Sequence, residues 1–215
     1  MKENILRKEY TAMDYLGYAL YAFGGLGLEI LLLMIETSFW GVPNGSWTIS
    51  QHIIHWSITC LLWGGIGYIL MKQSIKIRTR IKKVNWFMAG AIMIISIAYT
   101  SITWNGFKPA IELSNNGIVK FIVQYIYYAV ESLLILLIIA HGQMAFEKWF
   151  KNRSYIPFGA LLLAMTWGII HILTKGMATG IYACAQSLLF GCIYLVLTLL
   201  RKFHSNRSYF KHNFM

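Results

Sequence analysis

Two ionisable side chains, Glu131 and His171, stand inside otherwise apolar runs and are the residues best placed to do chemistry. An ionised group at the centre of a membrane span costs at least about 2.5 kcal/mol, so such a residue is read as functional by default. A short charged turn separates the two, with Glu147, Lys148, Lys151 and Arg153. Counted from residue 152, Glu131 lies 21 residues before and His171 lies 19 after. At a rise of about 1.5 Å per residue they fall within roughly one helical turn of the same depth. On adjacent antiparallel helices they are expected to meet. A carboxylate and an imidazole so placed can bind a metal, with the glutamate also serving as general base toward a bound water. They can equally relay a proton, anchor a polar ligand, or specify helix packing.

Further polar residues lie at comparable depth. Glu29 sits beside the glycines of Phe23–Glu29 and shares a helical face with Tyr18, Ala22 and Gly25, where small residues let another backbone approach. It either bonds a neighbouring helix or joins the pair. His52 and His55, three apart, share one face beside Trp47 and Trp56; such histidines ligate metals or sit in an interfacial aromatic belt. Gln124 lies seven residues before Glu131, on its face, and Gln186 is expected to face the bundle. Glu29, Gln124 and Gln186 are therefore expected to line a polar cavity, with His171, His52 and His55 as metal-ligating histidines. His141 and Gln143 fall too near the cytoplasmic end to join them.

The elements that must position these residues are membrane spans. Of 215 residues, 57% are hydrophobic and 13% charged, against about a quarter charged in soluble domains. Mean hydropathy is +0.55. The apolar residues come in six blocks, about 15–36, 52–71, 85–104, 118–140, 156–174 and 178–200. An all-α, polytopic six-helix bundle in the cell membrane follows, with a leader over 1–14, one transmembrane domain over 15–200 and a basic tail over 201–215. The net charge of +11 does not call for nucleic acid. Sixteen of the nineteen Lys and Arg fall in the leader, in 72–83, in 147–154 and in the tail, which places those segments and both termini in the cytoplasm. Residues 37–51 and 105–117 are expected as outer loops. Cys60, Cys184 and Cys192, widely spaced in apolar blocks, read as packing residues.

The run from Val130 and Glu131 to Ile135, then Trp167 to His171, then the apolar stretch Ser187–Tyr194, resembles the CAAX protease and bacteriocin-processing (CPBP, or Abi) family of intramembrane metalloproteases. That family's motifs are EExxxR, FxxxH and a later HxxxN or HxxxD. The resemblance covers 117–200 and implies Glu131 as general base, His171 as the second-motif histidine with Trp167 in the aromatic place, zinc as cofactor, and a peptide or membrane-protein substrate. Val130 replaces the first glutamate and Ile135 the arginine. No third motif lies in the last span, and the nearest run, His204–Ser208, ends in serine. His52, His55 or Glu29 would have to supply the missing ligand. The chain thus reads as a divergent relative, either a metal-dependent peptidase or a catalytically impaired one. The alternative is a non-enzymatic protein, for example in bacteriocin immunity or partner-helix binding, that takes a peptide or small ligand in the same cavity.

Overall fold

The computed structural model describes residues 10–74, 83–151 and 155–212, with side chains over 10–72, 85–151 and 155–198. Most of the basic charges that orient the chain, in 1–9, 75–82, 152–154 and the tail side chains, lie outside the described residues.

The first helix starts where the sequence offers a reciprocal cap. The Asp14 backbone N–H donates to the Thr11 hydroxyl at 3.1 Å, and the Thr11 backbone N–H donates to the Asp14 carboxylate at 2.8 Å. Helix α1 (Ala12–Trp40) then runs to Gly41, whose φ of 67° closes it with a left-handed cap. A 3-10 turn (Asn44–Ser46) leads to α2 (Ile49–Ser74), followed by α3 (Lys83–Thr103) and α4 (Lys108–Trp149). The fifth span is α5 (Phe158–Leu163), a π-helical turn (Ala164–Gly168) and α6 (Ile169–Lys175); α7 (Met177–His212) closes the chain.

Six of these segments are long and apolar enough to cross a membrane, and each overlaps one expected span. The fold is an all-α six-helix bundle, and the chain is a multi-pass membrane protein. Its bare apolar side chains agree: Phe39 is 83% exposed and Phe87 80%, which only lipid would cover at little cost. Below, the end carrying 41–48 and 104–107 is called the outer end, and the end carrying Tyr10 and Trp149 the inner end.

One expectation needs correction. Residues 105–117 are not simply a loop, because Lys108–Asn116 is already helical. The break falls at Gly117 (φ 70°, ψ 167°), a conformation that glycine adopts without a Cβ clash. Helix α7 itself continues through the basic segment to His212.

Helix α4 is the hub, packed against α1, α2 and α5, while α3 rests on α7. In lipid, helices gain little from hiding apolar surface, so close packing and a few hydrogen bonds must hold them. Leu134, Ile138 and Leu163 are fully buried at the centre. The Trp63 indole N–H donates to the Gly25 carbonyl at 2.8 Å, tying α2 to α1. At Gly159 an added methyl would stand 2.2 Å from the Ile139 carbonyl oxygen, and at Gly191 2.2 Å from the Ala160 Cβ. Those glycines set the spacing of α5 against α4 and α7.

Candidate functional site

The α5–α6 span reaches Glu131 through Trp167, not through His171. The Trp167 indole N–H donates to Glu131 Oε1 at 3.2 Å. The Trp167 carbonyl accepts from His171 Nδ1 at 2.8 Å, and the indole and imidazole ring centres lie 4.5 Å apart. One residue thus holds both members of the expected pair. No hydrogen bond or ion pair joins Glu131 to His171 directly among the described residues. The cause is local. His171 lies four residues beyond Trp167, about 6 Å further along the helix axis. The π-helical turn that ends at Gly168, anchored by Thr166 Oγ1 on the Leu162 carbonyl at 2.8 Å, carries Trp167. Such turns insert an extra residue and re-aim the side chains around them.

Two atoms of this group are left over. Glu131 accepts only the indole N–H, and no cation lies within ion-pair distance of it among the described residues. His171 donates through Nδ1, so its neutral ring offers Nε2 as a lone pair. Among the described residues, three buried side-chain polar atoms lack partners, Glu36 Oε1, Asn85 Oδ1 and His141 Nε2. Neither Glu131 nor His171 is among them. Their spare acceptors have no hydrogen-bond partner among the described residues and are not fully buried.

A second group, on α1, α2 and α4, lies toward the outer end. Tyr127 O–H donates to Glu29 Oε1 at 2.6 Å. His55 stands between two carboxylates, with Nδ1 2.5 Å from Glu36 Oε2 and Nε2 3.6 Å from Glu29 Oε1. Glu29 therefore does bond neighbouring helices, as one expectation had it. Glu36 takes His55 Nδ1, and Nε2 faces the Glu29 carboxylate beyond hydrogen-bond distance. His52 packs its ring on Trp47 and Trp56, at 5.7 and 5.4 Å, in the manner of an aromatic belt. Neither histidine forms a metal cluster with His171.

Gln124 belongs to a third group, at the Gly117 kink. Its Nε2 donates to Tyr128 OH at 2.7 Å and to Glu112 Oε1 at 3.1 Å, while Tyr125 and Tyr128 O–H groups also donate to Glu112. The Lys108 ammonium lies 3.4 Å from Glu112 Oε1 and over two rings, 4.4 Å from the centre of Tyr128 and 5.0 Å from that of Trp104. Carboxylate and aromatic faces here cage a primary ammonium.

Gln186 faces the bundle, as expected, but its hydrogen bonds go to α3 and not to Glu131. It is buried between α7 and α3: Ser96 Oγ donates to its Oε1 at 2.6 Å, and its Nε2 donates to Thr100 Oγ1 at 2.9 Å. A glutamine can turn either way from an apolar helix, and here it pins α3. His141 lies deep toward the inner end, packed on the Tyr15 and Tyr18 rings. Gln143 there ties the α4–α5 turn, donating to the Ile156 carbonyl at 2.9 Å and accepting from the Gly159 N–H at 3.0 Å.

Glu36, Glu112 and Trp167 complete the polar groups and were not singled out from sequence for these contacts. Glu36 carried a usable signal, since seven residues after Glu29 puts it on the same helical face. Zinc, which the family resemblance implies, needs at least three protein donors. Glu131 and His171 supply two, and no group of three His, Cys, Asp or Glu among the described residues is arranged to hold a metal ion. The donor set does not fit that cofactor. Comparison with known proteins finds no matching family model, no matching curated protein and no matching solved structure.

Proposed function

We propose that this chain is a non-enzymatic membrane protein of CPBP-like layout that binds a peptide segment or small polar ligand at the Glu131–Trp167–His171 group. The observation that carries the reading is the leftover pair. Glu131 Oε2 and His171 Nε2 lack hydrogen-bond partners, yet neither is sealed inside the protein, while Trp167 fixes the side chains that bear them. Polar atoms meant only for packing are normally paired with each other. Atoms held rigidly and left unpaired are ready for a ligand.

The test is a comparison on purified full-length chain in lipid nanodiscs, with zinc supplied. Membrane-span peptides should stay uncleaved, and peptides or polar small molecules that raise the unfolding temperature should lose that effect with Glu131→Gln and His171→Ala. Cleavage that both substitutions abolish would contradict the reading. It would instead favour the second one, intramembrane hydrolysis with Glu131 as base, which the joint grip of Trp167 on Glu131 and His171 supports.

A further inference from the structure

The leftover atoms at this site are both acceptors. Glu131 Oε2 is a carboxylate oxygen. His171 Nε2 is a lone pair, because Nδ1 must carry the hydrogen that meets the Trp167 carbonyl at 2.8 Å. The third polar group here, the Trp167 N–H, already points at Glu131 Oε1 at 3.2 Å. With Glu131 ionised, nothing in the trio remains to donate. A ligand that brought only acceptors, such as a carboxylate or phosphate, would face lone pairs and a like charge.

The charge balance points the same way. Lys108 is paired with Glu112 and held over the Tyr128 and Trp104 rings, and Lys120 lies over Trp56, 5.7 Å from the ring centre. His55 faces Glu36 and Glu29. Lys175, exposed at the end of α6, makes no ion pair with Glu131. Lys175 and Lys108 act on Glu131 only from beyond ion-pair distance, so its ionised form is costly at membrane depth, and a cation brought to it would stabilise that form. The indole face of Trp167, 4.5 Å from the imidazole, adds an aromatic surface of the kind that takes cations. One turn before Glu131 on α4, Tyr128 already shows such chemistry, its ring and Glu112 caging the ammonium of Lys108.

We infer that the Glu131–Trp167–His171 site recognises a primary ammonium group, with Glu131 as its counter-ion and His171 Nε2 as a second acceptor. This rests on the reading of the group as a binding site. The ammonium belongs either to a small alkylamine or to a lysine side chain of an apolar peptide, and the two sources share one chemistry.

The experiment is calorimetric titration and thermal unfolding of the full chain in nanodiscs. The probes are n-butylammonium, butyrate and butanol, then an apolar peptide with one central lysine beside its norleucine twin. Saturable binding and stabilisation by butylammonium, absent with butyrate and butanol, is the expected result. A lysine peptide that binds tighter than butylammonium, with an inert norleucine twin, assigns the ammonium to a peptide; the reverse order assigns it to a free amine. Glu131→Gln should weaken the interaction about ten- to hundredfold, as for loss of a charge-assisted contact, and His171→Ala should weaken it less. Lys108→Ala should leave it unchanged. Because Glu131→Gln keeps the acceptor for the indole N–H, a folding defect in His171→Ala still leaves one informative variant.

Binding of butylammonium that survives Glu131→Gln and changes with Lys108→Ala would overturn the inference, since the Glu112 cage would then be the site. Butyrate or butanol binding that Glu131→Gln abolishes would overturn the ammonium class while leaving a binding site in place. Failure of every probe together with Glu131-dependent peptide cleavage would overturn the binding reading itself.

Discussion

At the scale of single residues, the proposed binding site turns on Trp167. It places the Glu131 carboxylate with its N–H and orients His171 with its carbonyl, so both acceptors present themselves without touching. Trp167→Phe removes the N–H and keeps most of the aromatic bulk. The expected loss of stability is small, about 0.6 kcal/mol as for typical interhelical hydrogen bonds in membranes, measured by unfolding in mixed micelles. Ligand affinity should fall more than stability, because Glu131 loses its fixed rotamer. Glu131, His171, Glu29 and His55 were legible in the sequence, since a charge in an apolar run declares itself by its cost. Trp167 was placed there only through a family motif, because a tryptophan in a membrane helix costs nothing and draws no notice. Glu36 sat close enough to the end of its span to look solvated, and the structure shows it only 7% exposed beside His55.

At the scale of elements, two devices shape the site: the Gly117 break and the glycine contact between α4 and α5. The break lets Lys108–Asn116 fold back so that Glu112 meets Tyr125 and Tyr128 on the span that follows. Polar residues on both sides of the break made 105–117 read as a loop, and a buried Glu112 was not visible in that pattern. The α4–α5 contact predicts that Gly159→Ala, which drives a methyl into the Ile139 carbonyl, costs about 1–3 kcal/mol and moves Trp167 relative to Glu131. Unfolding measurements should record the cost, and ligand affinity should fall in parallel. On the far side of the bundle, Gln186→Leu removes the bonds to Ser96 and Thr100 that hold α3 on α7. A loss of about 1 kcal/mol is expected there, with ligand affinity unchanged, because that network makes no contact with Glu131. That Gln186 faces the bundle was legible, but which helix it would meet was not, since α7 is apolar around most of its circumference.

At the scale of the whole molecule, the six spans were the most legible feature, because length and hydropathy decide which segments can cross a bilayer. The basic segments are expected to lie on the cytoplasmic side, with Asn44 on the other. A cysteine introduced by Asn44→Cys, in a chain with Cys60, Cys184 and Cys192 changed to alanine, should react with an impermeant thiol reagent added outside intact cells. Tags on either terminus should stay hidden until the membrane is opened. Which spans touch was far less legible, since apolar helices look alike in sequence and the hub role of α4 arises from how side chains fit. That hub brings Glu131 between the α1–α2 pair and the α5–α6 span. The most direct test of the central claim is therefore accessibility at the site. In the same cysteine-free background, the thiol introduced by His171→Cys should react with the impermeant reagent from the outer side, and butylammonium should slow that reaction. One introduced by Leu134→Cys, in the fully buried core, should not react. A thiol at position 171 as inert as the one at 134, from either face of the membrane, would show a dry packing contact and contradict a ligand site there.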